Sequence, residues 1–225
     1  MTRGGRQHIP RPAGWRAGGP APWAHLAAAD RRFTLAEVVT AFAAHPPARR
    51  DHFAGEGARA AAVLVPVFEE DGEARLILTK RPDTLPTHQG QIAFPGGKLD
   101  PAVDRDLVDA ALREAYEEIA LDRESVEIVA ELDHIGTVVS AFLIAPFVGV
   151  LPGRPIVAAH PREVTAVFDV ALSELLDEAT WREERWDVPW APDASMTFFE
   201  LAGETVWGAT ARILTNLLAH LTSSR

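Results

Sequence analysis

The sequence predicts an α+β fold or an α/β/α sandwich. Three observations point there. Short apolar runs of strand length dominate the middle of the chain, from about residue 61 to residue 201. One strongly amphipathic helix interrupts them near Asp106 to Ala120, and further helical patterns lie towards each end. No internal repeat is present, and strands and helices alternate irregularly, as expected of layers rather than of a solenoid or bundle.

Residues 1–32 are rich in Pro, Gly, Arg and Ala, as in Pro10-Arg11-Pro12 and Gly18-Gly19-Pro20, and read as an irregular arm. Trp15 and Trp23 within it are signs of local packing. Residues 33–225 are expected to form one domain with an N-terminal helical extension. That extension runs from Thr34 to His45. Thr34 is an N-cap with Glu37 at the capping-box position, Leu35, Val38, Val39 and Phe42 form the apolar stripe, and Pro46-Pro47 stops the helix.

Strands are then expected at Ala61 to Phe68 and Ala74 to Lys80, joined as a hairpin through Glu69-Glu70-Asp71-Gly72. After the glycine loop Phe94-Pro95-Gly96-Gly97 and the Asp106 to Ala120 helix come strands at Val126 to Leu132, Ser140 to Leu151 and Val164 to Val170. Ala171 to Glu178 reads as a short helix, and Thr180 to Asp187 and Ser195 to Leu201 as strands. A last helix is expected from Val206 to Leu221, on the spacing of Val206, Ala209, Ile213, Leu217 and Leu221.

Composition bounds the function. With 32 acidic against 22 basic residues the formal charge is −10, the wrong sign for gripping a nucleic-acid backbone. There is no cysteine, hence no disulfide framework and no thiolate metal site. The longest apolar run, Ala141 to Leu151, is too short to span a bilayer, and no apolar stretch follows the N-terminal arginines as a secretory signal would require. A cytoplasmic protein without membrane or nucleic-acid partners is the expectation.

The chemistry concentrates in Arg113-Glu114-Ala115-Tyr116-Glu117-Glu118. On a helix Glu114, Glu117 and Glu118 stand at i, i+3 and i+4, so their carboxylates share one face, with Val108, Leu112, Ala115 and Ile119 opposite. Like charges at that spacing destabilise a helix unless a cation neutralises them. A hard divalent ion with oxygen ligands does so, and an upstream glycine pair suits a backbone that must approach a phosphate. An exposed, solvated acidic face is the competing reading.

Gly97 followed by Arg113-Glu114-Ala115-Tyr116-Glu117-Glu118-Ile119-Ala120-Leu121 resembles the signature of the Nudix hydrolase family. The loop between them is two residues longer than usual, Asp104 and Asp106 compete for the place of the loop glutamate, and Ala120 replaces a glycine. Leu78-Thr79-Lys80-Arg81 and the block from His88 through Gly90-Gln91 to Asp100 are similar to coenzyme A diphosphatases within that family, as is Val206-Trp207-Gly208-Ala209-Thr210-Ala211. Pro82 and Pro86 depart from that block, Pro86 standing where an arginine is usual.

The resemblance implies a Nudix fold, an α/β/α sandwich with a mixed β-sheet and the carboxylate helix at its centre, and Mg²⁺ or Mn²⁺ held by Glu114, Glu117 and Glu118, with a backbone carbonyl from Gly97. Arg113 would orient Glu114 through a bidentate pair, and Gly96 and Gly97 would shape the loop. Glu163 is the candidate general base. Arg81, His88 and Gln91 are candidates for substrate contact, with ion pairing and loop scaffolding as their structural alternatives. The implied reaction is hydrolysis of coenzyme A to 3′,5′-ADP and 4′-phosphopantetheine by a possible homodimer. ADP-ribose, NADH or a modified nucleoside triphosphate are the alternative substrates, and a non-catalytic nucleotide-binding module is the alternative class.

Overall fold

The computed structural model describes residues 3–7, 9–50, 57–84, 88–137, 141–223 and 225. Pro86, and Ser140 at the start of one expected strand, lie outside them. A long central strand, β2 (Arg59–Glu70), organises the molecule. Its apolar side chains alternate between two cores: Ala62, Leu64 and Phe68 face one, while Val65 and Val67 face the other. A strand buried on both faces reads as a continuous apolar run, which is what Ala60 to Phe68 shows.

Along one edge β2 runs parallel to β8 (Phe142–Val150), from Arg59↔Phe142 to Val67↔Val150. Along the other it pairs antiparallel first with β5 (Gly96–Lys98) and then with β3 (Glu73–Lys80). The β2–β3 hairpin turns at Asp71 and Gly72, with φ of 52° and 70°, the geometry that makes Asp-Gly a strong hairpin signal. Short strands β4 (Ile92–Ala93), β6 (Glu127–Glu131), β7 (Ile135–Thr137) and β9 (Ala166–Ala171) complete this mixed sheet.

Helices cover both faces, as expected. Helix α2 (Leu107–Ile119) packs Ala110, Ala111, Ala115 and Ile119 onto Ala62, Leu64 and Ile77. Helix α1 (Leu35–Phe42) and helix α4 (Gly208–Thr222) pack on the opposite face. The Thr34–Glu37 capping box forms reciprocally, the Thr34 amide donating to Glu37 at 2.8 Å. Of the expected stripe, Val38 and Phe42 are buried and Val39 is exposed, and the helix ends three residues before His45.

A second, four-stranded antiparallel sheet joins β1 (Arg16–Ala17), β10 (Trp181–Val188), β11 (Ala191–Leu201) and β12 (Glu204–Trp207). The short helix α3 (Leu172–Leu175) precedes it. Val206 and Trp207 therefore belong to a strand, correcting the expected start of the last helix. Fully buried Val206 pairs with Phe199, and only at Gly208, with φ of 66°, does the chain turn into the helix. Much of the arm lacks regular structure, yet Trp23 is fully buried against Trp181, ring centroids 5.0 Å apart. Among the described residues no helix is long and apolar enough to cross a membrane.

Helix α2 ends on Ala120 at φ 55°, left-handed backbone that L side chains adopt at a cost. Ala120→Gly should raise stability by about 1 kcal/mol, read as a shift of the denaturation midpoint at unchanged slope. A lower midpoint would show that the Ala120 methyl group contributes packing that outweighs the strain.

Candidate active site

The three glutamates of α2 do not share one environment. Seen down the axis, Glu118 lies beside Ala111 and Ala115, on the edge of the buried face, and is itself buried. The expected division into one acidic and one apolar side therefore fails at this residue. Its carboxylate turns to the start of β5 and accepts the Gly96 amide at 3.1 Å. Burial is the main reason its pKa is pushed up to about 7, and the charges of Glu114 and Glu163 add to it. The Gly96 amide and the positive charge of Arg81 act in the opposite sense. Glu114 is also raised, again chiefly by burial, with Arg113 opposing. Glu117 is the exposed member, its side chain about half accessible (52%).

Arg113 ties the group together. Its guanidinium makes a bidentate pair with Asp104, Nε to Oδ1 at 2.8 Å and Nη2 to Oδ2 at 2.9 Å. Nη1 then donates to Glu114 at 3.0 Å and to Glu117 at 2.9 Å, and Nη2 also reaches the Lys98 carbonyl at 3.2 Å. The bidentate partner is thus Asp104, and not Glu114 as expected from sequence. Asp104 accepts the Asp100 amide as well, and the Arg113 pair is the main reason its carboxyl is held below the usual range. Asp106 does different work: it caps α2, accepting the Asp109 amide at 2.8 Å. The lengthened loop is therefore folded back on the helix through Asp100, Asp104 and Arg113.

The glycines explain how the backbone comes so close. A Cβ on Gly96 would lie 2.3 Å from the Ala62 carbonyl oxygen, and one on Gly97 would lie 2.4–2.7 Å from the carboxylate of Glu114. On the other side of Glu118, the segment 158–164 docks against the end of α2, Ala158 and His160 donating to the Ile119 and Glu118 carbonyls at 2.9 and 2.8 Å. This brings exposed Glu163 within electrostatic reach of Glu114 and Glu118. Arg81, at the end of β3, has a buried Nε with no hydrogen-bond partner among the described residues, and its charge acts on Glu118. His88 and Gln91 bond to each other at 2.9 Å, with His88 exposed at φ 58°; they brace the loop leading to β4.

The sequence pattern of the NUDIX domain matches residues 58–192, which include every element just described. The chain belongs to the Nudix family. It is 44% identical over 118 residues to a Nudix hydrolase NudL of Enterobacter sp. (strain 638), a match covering 52% of this chain and 60% of that protein. The chain thus spans about three fifths of that relative's length. The NudL of Photorhabdus laumondii is 34% identical over 173 residues, 76% of this chain and 88% of that one. Among solved structures, a MutT/nudix family protein from Enterococcus faecalis overlaps 82% of this chain and 68% of its own at 15% identity, with a TM-score of 0.49.

Nudix hydrolases generally use divalent metal ions. Among the described residues no three His, Asp or Glu side chains stand ready as a metal cage, because Glu114 and Glu117 are turned to Arg113. The donor set nevertheless fits a hard cation. It offers carboxylate oxygens, those of Glu118 buried and those of Glu114 partly buried, beside a glycine whose missing Cβ leaves room for the Glu114 carboxylate. The bidentate bond of Arg113 to Asp104 does not involve Glu114 or Glu117.

Proposed function

We propose that this Nudix chain hydrolyses the diphosphate linkage of a nucleotide derivative, coenzyme A being the substrate, with Mg²⁺ or Mn²⁺ held by Glu114, Glu117 and Glu118. The observation that carries the reading is the burial of Glu118 beside Glu114, against the Gly96 amide. Keeping an ionisable carboxyl there costs folding free energy, which a solvated acidic face would not require. A divalent ion bound there would polarise the diphosphate and offset the charge that develops on its oxygens. The same cost speaks against a non-catalytic nucleotide-binding module, for which retaining it would bring no benefit.

The chain's own residues supply the rest. Glu163, exposed at the rim and near Glu114 and buried Glu118, takes the proton from the attacking water as its oxygen bonds to phosphorus and the anhydride P–O bond breaks. Arg81, whose positive charge acts on Glu118, is the candidate to bind a phosphate oxygen through its guanidinium. Arg113 positions Glu114 and Glu117 from its anchor on Asp104. The Gly97 carbonyl is a further candidate ligand. Coenzyme A rests on the block from Leu78 to Asp100, in which His88 and Gln91 hold the loop. A cytoplasmic homodimer belongs to the same proposal and is checked by sedimentation.

The test is chromatographic product analysis with Mg²⁺ or Mn²⁺ and a panel of coenzyme A, ADP-ribose, NADH and nucleoside triphosphates. Release of 3′,5′-ADP and 4′-phosphopantetheine from coenzyme A is expected. Cleavage of another panel member alone would keep the chemistry and discard the substrate; no turnover of any member would overturn the reading.

A further inference from the structure

A cleft lined by charged side chains lies away from α2. Along β3 the apolar residues Leu76 and Leu78 belong to the core under α1 and α4, whereas Ile77 belongs to the core under α2. By the same alternation Lys80 projects from the face opposite α2, where its Nζ pairs with Glu204 of β12 at 2.6 Å. There Arg3 to Arg6, Ile9 and Arg11, the β11–β12 turn and the end of β3 line an open cleft of about 1040 Å³. Arg3, Arg6, Arg11, Lys80 and Arg182 line it, with Glu200.

The electrostatics of this cleft run against those of the chain. Arg3 is held by Asp177 at 3.0 Å, Arg11 by Glu184 at 2.5 Å, and Arg182 by Glu184 and by Glu200, the latter at 2.7 Å. Glu184 is almost completely buried, so it fixes two guanidinium groups from below. Five cationic side chains thus meet four carboxylates, in a protein whose formal charge is −10. The surplus is Arg6, which is exposed and has no hydrogen bond or ion pair among the described residues. Arg11 commits only its Nη2 to Glu184, which leaves most of its N–H donors to a ligand. Pinned guanidinium groups with spare donors lose little freedom on binding, and their planar forks match phosphate oxygens.

We infer that this cleft binds a phosphomonoester, in a site separate from the carboxylates of α2. Arg6 is the principal contact, Arg11 and Lys80 flank it, and the volume suits a ligand of nucleotide size. None of the cleft's residues acts in the proposed hydrolysis; Lys80 belongs to the block on which the coenzyme A reading rests, but its ammonium is turned to Glu204 on the face opposite α2. Calorimetric titration of the full chain in EDTA at low salt, with orthophosphate and separately with 3′,5′-ADP, tests it without turnover. Saturable binding of at least one probe is expected. Arg6→Ala should weaken it by about tenfold or more and Arg6→Glu should abolish it, while Glu118→Gln leaves it unchanged. Parallel effects on both probes would show that a free phosphate suffices; effects on 3′,5′-ADP alone would assign a nucleotide. No saturable binding, or binding that survives Arg6→Glu in a folded variant, or binding lost in Glu118→Gln instead, would overturn the inference.

Discussion

Glu118→Gln is expected to remove turnover by orders of magnitude and, in the presence of a chelator, to make the protein more stable than the parent. The two effects share one cause. In the folded chain the Glu118 carboxyl has its pKa pushed up from 4.5 to about 7, mainly by burial. A carboxyl whose folded pKa is raised binds protons more tightly in the folded state, so the ionised form opposes folding. Below about pH 4.5 it is protonated in both states and contributes no difference. The penalty grows as pH rises towards 7 and is fully present above it, where it amounts to roughly 1–3 kcal/mol. A glutamine keeps an oxygen for the Gly96 amide and carries no charge to desolvate. Melting curves in EDTA should place the variant about 3–8 °C above the parent at pH 8, with the difference closing near pH 4.5. Mg²⁺ should raise the melting temperature of the parent and leave that of the variant nearly unmoved. A variant that turns over substrate normally, or that is less stable than the parent at pH 8 in chelator, would contradict this account of the site.

What sequence could and could not show follows from the range of the interactions. The Thr34–Glu37 capping box, the Asp71-Gly72 turn and the carboxylate helix rest on contacts within four residues, so spacing alone revealed them. The burial of Glu118 depends on Gly96 and on segment 158–164, which reach it from 22 and about 40 residues away. No helical pattern encodes that, and the helix appeared simply acidic on one side. The choice between Asp104 and Asp106 was equally hidden. Both carry the same carboxyl group, and only the path of the loop gives one to Arg113 and the other to the end of α2. The second sheet escaped in part because β1 and β12 are two and four residues long, too short for a period to show. Val206 fits a helical spacing and a strand alternation alike, and its pairing with Phe199 decides the matter. Lys80 and Arg6 attracted no functional reading of their own, since nothing local shows that the two lie 74 positions apart along one cleft.

The adjacent glycines of the loop should respond to the same substitution in opposite ways. At Gly96, where φ is 155°, an alanine Cβ would stand 2.3 Å from the Ala62 carbonyl oxygen and 2.6 Å from the Val63 Cα. Both are backbone atoms of the central strand, held by the β2–β8 pairing on its other edge, and neither can yield without moving the sheet. The clash would be relieved by lifting β5 off β2, losing the pairs at Ala61, Ala62 and Val63 together with the Gly96 amide's bond to Glu118. Gly96→Ala is therefore expected to cost about 3 kcal/mol or more, overpacking and lost hydrogen bonds together, and to abolish activity by dismantling the site. At Gly97 the atoms in the way, 2.4–2.7 Å from an added Cβ, are the carboxylate atoms of Glu114, the far end of a flexible side chain. Glu114 can swing aside within the fold, so Gly97→Ala should leave the denaturation midpoint close to that of the parent. Its cost should appear instead as a higher Mg²⁺ concentration needed for half-maximal activity, because the displaced carboxylate is one of the proposed ligands. Denaturant titrations and Mg²⁺ activity curves on the two variants separate these outcomes. Equal stability losses at both positions would mean that Glu114 is as rigidly held as the strand, and a fully active Gly97→Ala would remove Glu114 from the proposed metal site.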